Sequence, residues 1–149
     1  MTMKVFSLSV PHTQPRDLWS VVGLEEHGSI ALMDKINQGL EGEVAKRISA
    51  WAQITPAELR KMSGIPNTAF NRSIRNRFTA NQSERIVRVI RVLIHAVKLF
   101  EGDKDAAQHW LNENNRTLGW QKPADVLASE TGALEVMRLI TRIEHGVYS

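Results

Sequence analysis

Apolar residues recur along most of the chain at three- and four-residue intervals, the spacing of one face of a helix. Leu18, Trp19 and Val22 follow Asp17, a residue type that caps helix starts. Leu32, Met33 and Ile36 lie between Ser29 and Gly39, so a capped helix with a core face is expected over 30–38. Val44, Ile48 and Trp51 mark the next one, within 41–52. Thr55, followed by Pro56 and by Glu58 three residues on, has the composition of a capping box, and Gly64 stops the helix it opens. Pro66 opens another, expected to reach about Asn76. Thr79 and Gln82 repeat the capping-box spacing ahead of a long helix to about Phe100, stopped by Gly102. Asp103 starts a short helix to Leu111. A loop through Gly119, a helical turn at 123–127 and a last helix over about 130–144, stopped by Gly146, complete the series. Only Val5–Val10 alternates as a strand does, and Pro11–Pro15 reads as a linker. The pattern predicts an all-α protein.

Residues 55–76 form a helix, a tight turn at Gly64 and a second helix. At 100° per residue, Asn67, Thr68, Asn71, Arg72 and Arg75 share one arc of the second helix, and Ala69, Phe70 and Ile74 the other. Asn can pair with adenine and Arg with guanine in the major groove, so these residues are candidate base readers. Arg77, just past that helix, and Arg85, Arg88 and Arg91 on the next one are candidate phosphate contacts. The competing reading is an ordinary helical hairpin with a polar outer face. Arg60 sits four residues before Gly64, where the two helices touch and helix-turn-helix units usually carry a small residue. Either the helices stand apart or Arg60 extends outward.

Charge sharpens this picture. Residues 60–91 hold eight basic and one acidic side chain, whereas 1–59 and 92–149 are each net −2 in a chain of net +3. A basic middle between acidic flanks suits an anionic partner such as operator DNA; a solvated helix face is the alternative. The helix over 86–100 is apolar on more than one side (Ile86, Val87, Val89, Ile90, Val92, Leu93, Ile94, Ala96, Val97, Leu99), which is expected of a core helix that also contacts a second copy in a homodimer.

Composition removes several classes. The chain has 149 residues, 42% of them hydrophobic, enough to bury a core. It has no cysteine, hence no disulfide, thiolate metal site or cysteine nucleophile. Arg88, Arg91, His95 and Lys98 interrupt the longest apolar stretch, so no membrane span is expected, and 1–10 lacks the apolar run of a signal peptide. A cytoplasmic protein is expected. His12, His27, His95, His109 and His145 form no zinc spacing, and no phosphate loop or catalytic triad is visible. The expectation is no enzyme, no metal and no cofactor.

The C-terminal third is the most specific part. Phe100-Glu-Gly-Asp103, Ala107-Gln-His-Trp-Leu111, Leu118-Gly119, Pro123-Ala-Asp-Val-Leu127 and Arg142-Ile-Glu-His-Gly-Val-Tyr148 resemble, in order and spacing, the toxin-binding domain of the Xre/MbcA/ParS antitoxin family. With the helix-turn-helix the resemblance spans about 40–149. In the loop, Asn114-Asn115-Arg116 replaces a Pro-Asn pair, and Trp120 stands where that pattern has glycine. The resemblance implies an Xre/Cro-like helix-turn-helix bundle followed by a small helical toxin-binding domain. The chain is expected to divide into an extension (1–28), which shows no such resemblance, a DNA-binding and dimerisation domain (29–100) and a toxin-binding domain (101–149). It further implies a RES-domain toxin acting on NAD as partner, an active site covered by the antitoxin, and repression of the pair's own operon within a larger toxin–antitoxin complex. A repressor without a toxin partner is the alternative.

In the last helix, Ala133, Val136, Met137, Leu139, Ile140 and Ile143 form a core stripe opposite Glu135, Arg138, Arg142 and His145. Arg138, Arg142 and His145, with Tyr148 and the terminal Ser149, are candidate toxin contacts, since Arg and Tyr are enriched at interface anchors. A cleft shaped for an anionic dinucleotide would also receive the carboxylate of Ser149. Pairing of the arginines with Glu135 is the competing reading. Trp110 is a further candidate contact, although its spacing from Ala106 and Ala107 also fits a core position.

Overall fold

The computed structural model describes residues 17–24 and 29–146. Among them lie nine α-helices: α1 (Leu18–Val22), α2 (Ile30–Gln38), α3 (Gly42–Ala52), α4 (Pro56–Ser63), α5 (Asn67–Ser73), α6 (Ala80–Leu99), α7 (Lys104–Leu111), α8 (Pro123–Val126) and α9 (Glu130–Glu144). A 3-10 turn at Arg116–Leu118 joins α7 to α8. The described residues contain no strand, only isolated bridges between Glu41 and Arg77 and between Asn115 and Gln121. The fold is all-α, as expected. The alternating segment Val5–Val10 and the linker Pro11–Pro15 lie outside the described residues.

Side-chain caps set the helix starts. Asp17, Ser29, Asp103 and Ser129 each accept from a backbone N–H three residues on, at 2.9–3.0 Å. Both capping boxes are closed: Thr55 and Glu58 exchange bonds of 3.0 and 2.8 Å, Thr79 and Gln82 bonds of 3.1 and 2.9 Å. Each such cap contributes about 1 kcal/mol.

The long helix α6 is the axis of the core. Ile86, Val87, Val89, Ile90, Val92, Leu93, Ala96 and Val97 are buried. Helices α1, α2, α3, α4, α7 and α9 pack around it, α9 most extensively. Ala133, Val136, Leu139 and Ile140 of α9 join the same continuous cluster as Leu18, Ile48 and Phe70. Burying one large aliphatic side chain contributes roughly 1.5–3 kcal/mol, and a surface ion pair about 0–1 kcal/mol. The docking of α9 is therefore a hydrophobic event.

Two expectations are corrected and another is narrowed. Met33, read as part of a core stripe, is exposed, while Leu32 and Ile36 are buried. The wheel placed it at the edge of the stripe, and no neighbouring helix covers that edge. Second, α6 keeps no exposed large apolar side chain, because its second apolar face is filled by helices of the same chain; Ile94 and Leu99 are half-buried. Half-buried Ile94 borders an open groove with Trp19 and Met137. Third, α5 ends at Ser73, not near Asn76. The following residues are drawn off the helix axis to pair with the 40–42 segment: Gly42 N–H donates to the Asn76 carbonyl at 2.8 Å, and Phe78 N–H to the Leu40 carbonyl at 2.8 Å. Only glycine fits at 42, where an added Cβ would stand 2.1 Å from the Ile74 carbonyl oxygen.

The N- and C-terminal halves share a stitched seam. The Lys104 ammonium lies 4.4 Å from the centre of the Trp51 ring. Lys61 pairs with Asp125 at 3.3 Å, and the Arg88 guanidinium donates to the Ala128 carbonyl at 3.1 Å. The turn at Gly64 abuts the same residue: a Cβ on Gly64 would approach the Ala128 oxygen to 2.7 Å.

Candidate DNA- and protein-binding surfaces

Helix α5 is held by its inner side. Phe70 is buried and tilts against Phe78 with ring centres 5.6 Å apart. Ser73 Oγ donates to Gln82 Oε1 at 2.8 Å, tying the end of α5 to the start of α6. With that side fixed, Asn67, Thr68, Asn71 and Arg72 are left exposed, and the amides of Asn71 and Asn67 meet at 3.4 Å. Arg75 is exposed too, but stands in the turn after the helix rather than on it. The four helical side chains form one outward arc of amides, hydroxyl and guanidinium, and Arg75 adds a cation at its end.

Arg60 answers the question its position raised. Its guanidinium is half-buried and donates to the Ile65 carbonyl at 2.9 Å, so it braces the turn instead of forcing the helices apart or leaving the surface. Arg77 is exposed, yet one Nη donates to the Gly39 carbonyl at 2.6 Å, giving it a share in holding the 39–42 segment. Arg85 and Arg88 are turned inward. Arg85 donates to the Gly64 carbonyl at 3.2 Å and to Asn81 Oδ1 at 3.2 Å. Burial, reinforced by Arg85, lowers the Arg88 pKa from its ordinary value, against an opposing pull from Glu130 and Glu84. Its Nε is buried without a hydrogen-bond partner among the described residues. Arg91 remains exposed.

The second surface lies on the C-terminal half. Arg138 and Arg142 are exposed on α9, and with Met137 and Thr141 they line an open groove. Arg138 pairs with Glu135 at 2.6 Å, the pairing weighed as the competing reading; Arg142 makes no such pair among the described residues. His145 is exposed at the end of α9, where its N–H donates to the Thr141 carbonyl. Trp110 is half-buried against the core, its ring 6.5 Å from that of Phe100. Tyr148 and Ser149 lie outside the described residues.

Two exposed side chains here escaped the sequence pattern, Leu134 and Trp120. Leu134 was detectable, since it lies one turn before Arg138 on the polar side of the wheel. For Trp120 the signal was the glycine that the family pattern has in its place, the residue suited to its left-handed backbone. Among the described residues no group of His, Asp and Glu could hold a metal, and no helix is long and apolar enough to cross a membrane.

A helix-turn-helix with a free recognition face, joined to a second helical unit with its own exposed cationic and apolar surface, defines the class of protein. Residues 31–91 match the model of the antitoxin Xre-like helix-turn-helix domain, and 95–146 that of the antitoxin Xre/MbcA/ParS C-terminal toxin-binding domain. The antitoxin Xre of Yersinia enterocolitica is 43% identical over 93% of this chain and 95% of its own length. That of Photorhabdus laumondii is 39% identical over 99% of this chain and 100% of its own. The chain belongs to the Xre antitoxin family.

Proposed function

We propose that this protein neutralises a RES-domain toxin that acts on NAD, covering its active site with the outer side of α9 and the residues after it. In the same reading it represses its own operon through α5, works in the cytoplasm and has no catalytic activity. The carrying observation is that α9 buries one face in the core yet keeps Leu134, Arg138 and Arg142 exposed on the other. Residues 101–149 act as the toxin-binding unit, 29–100 as the DNA-binding and dimerisation unit, and 1–28 as an extension. Asn67, Thr68, Asn71, Arg72 and Arg75 read bases, with Arg77 at the edge of the same surface. Arg138, Arg142, His145, Tyr148 and Ser149 meet the toxin, and Trp110 supports them from the core side. A homodimer supplies the two-fold symmetry that operators of this class require. Ile30 and Met33, the exposed large apolar side chains on α2, are its candidate contacts.

The test is co-expression with the neighbouring open reading frame. Toxicity of that product alone, and its relief and co-purification with this chain, are expected. Reversal of Arg138 and Arg142 to Glu should restore toxicity while operator binding persists. A harmless neighbour that does not co-purify would leave a plain helix-turn-helix repressor as the function.

A further inference from the structure

Trp120 combines two properties that rarely coincide. It is 65% exposed, outside the set of side chains packed on the core. Its φ is +65°, directly after Gly119 at +68°. Gln121 N–H donates to the Leu118 carbonyl at 3.3 Å, closing a tight turn whose two central residues are both left-handed. Turns of that kind favour glycine at both positions, or Asn followed by Gly, because a Cβ crowds the backbone there. A tryptophan gains nothing local from this position: it has the backbone strain without the burial that would offset it.

The loop around it is braced by hydrogen bonds. Asn115 N–H donates to the Gln121 carbonyl at 3.0 Å, Trp120 N–H to the Asn115 carbonyl at 2.8 Å, and Thr117 N–H to Asn115 Oδ1 at 2.9 Å. Leu118 is buried and anchors the loop in the core. Arg116 and Lys122, on either side of Trp120 in the sequence, are also exposed. An aromatic on a hydrogen-bonded turn, with cations near it in the sequence, is the make-up of an interface anchor.

We infer that Trp120 is a specificity-determining anchor for the toxin, seated in an apolar pocket with carboxylates at its rim. This rests on the toxin-binding reading above and extends that surface from α9 to the 115–121 loop. The probe is the purified product of the neighbouring open reading frame, with affinity and the melting temperature of the free chain measured side by side.

Trp120→Gly should weaken binding at least tenfold while the melting temperature holds or rises, because glycine relieves the turn. Trp120→Asn, which also tolerates a left-handed backbone, should behave alike, and Trp120→Phe should recover most of the affinity. Affinity within twofold of the parent for Trp120→Gly would overturn the inference, and so would a melting temperature several degrees lower. A changed oligomeric state with unchanged toxin affinity would also overturn it, assigning the residue to contact with a second copy. Arg142→Glu separates the two readings. If it releases the toxin and Trp120→Gly does not, only the inference fails; if the unsubstituted chain does not bind the probe, both fail.

Discussion

The outward sides of α5 and of the C-terminal half differ in kind. The face of α5 shows two amides, a hydroxyl and a guanidinium, and none of the exposed large apolar side chains. The C-terminal half shows arginines as well, but sets Leu134 and Trp120 among them. Hydrogen-bonding groups alone suit a polyanion whose base edges are read by donors and acceptors. Apolar anchors beside cations suit a folded protein, where desolvated side chains carry most of the affinity. Exposed arginines thus occur on two surfaces suited to different partners, and the neighbours of each arginine tell them apart.

The largest expected effect comes from removing the guanidiniums on the first surface. Arg72→Ala with Arg75→Ala should weaken operator binding by about 2–6 kcal/mol, at roughly 1–3 kcal/mol per base contact. A mobility-shift assay at fixed salt reads that loss, while growth in the presence of the toxin should be unaffected. Simultaneous loss of neutralisation would break the division into two surfaces.

Next come the glycines that seat each surface on the core. A Cβ at Gly42 would stand 2.1 Å from the Ile74 oxygen, and one at Gly132 1.9 Å from the Val126 oxygen. Gly42→Ala and Gly132→Ala should each cost about 1–3 kcal/mol, the usual range for forced overpacking. Thermal denaturation should show one transition moved downward in both variants, because the core is shared. Two transitions, with each glycine moving only one, would make the halves independent bodies.

The smallest effect is expected at the seam. Lys61 and Asp125 keep 67% and 42% of their side-chain surface exposed. Lys61→Ala should therefore change stability by no more than about 0.5 kcal/mol, and less still in high salt. A loss of several kcal/mol in chemical denaturation would show that this pair, rather than the apolar packing, joins the halves.

Much of the fold was legible because its signals are local. Asp17, Ser29, Thr55, Thr79 and Asp103 act on N–H groups three residues away, a distance that spacing reports directly. What stayed hidden depends on distant partners. The early end of α5 follows from pairing with the 40–42 segment, more than thirty residues upstream. Arg85 and Arg88 turn inward because carbonyls 21 and 40 residues away await them. A stripe of apolar residues on α6 says that two faces are covered, but not whether the cover comes from the same chain or another. The exposed arc of α5 was readable because its opposite side, with Phe70 buried, sets which way the helix faces. The one backbone angle that matters most, at Trp120, has no counterpart in composition or period.

The single apolar cluster running from Leu18 to Ile140 has a consequence for the lifetime of the molecule. A cut between α7 and α9 that freed the last helix would strip α6 of its most extensive cover. The apolar side of α6 beneath it would then face water, and the remainder would lose much of what holds it folded. Degradation begun at either surface therefore ends the whole protein, so neither surface outlives the other.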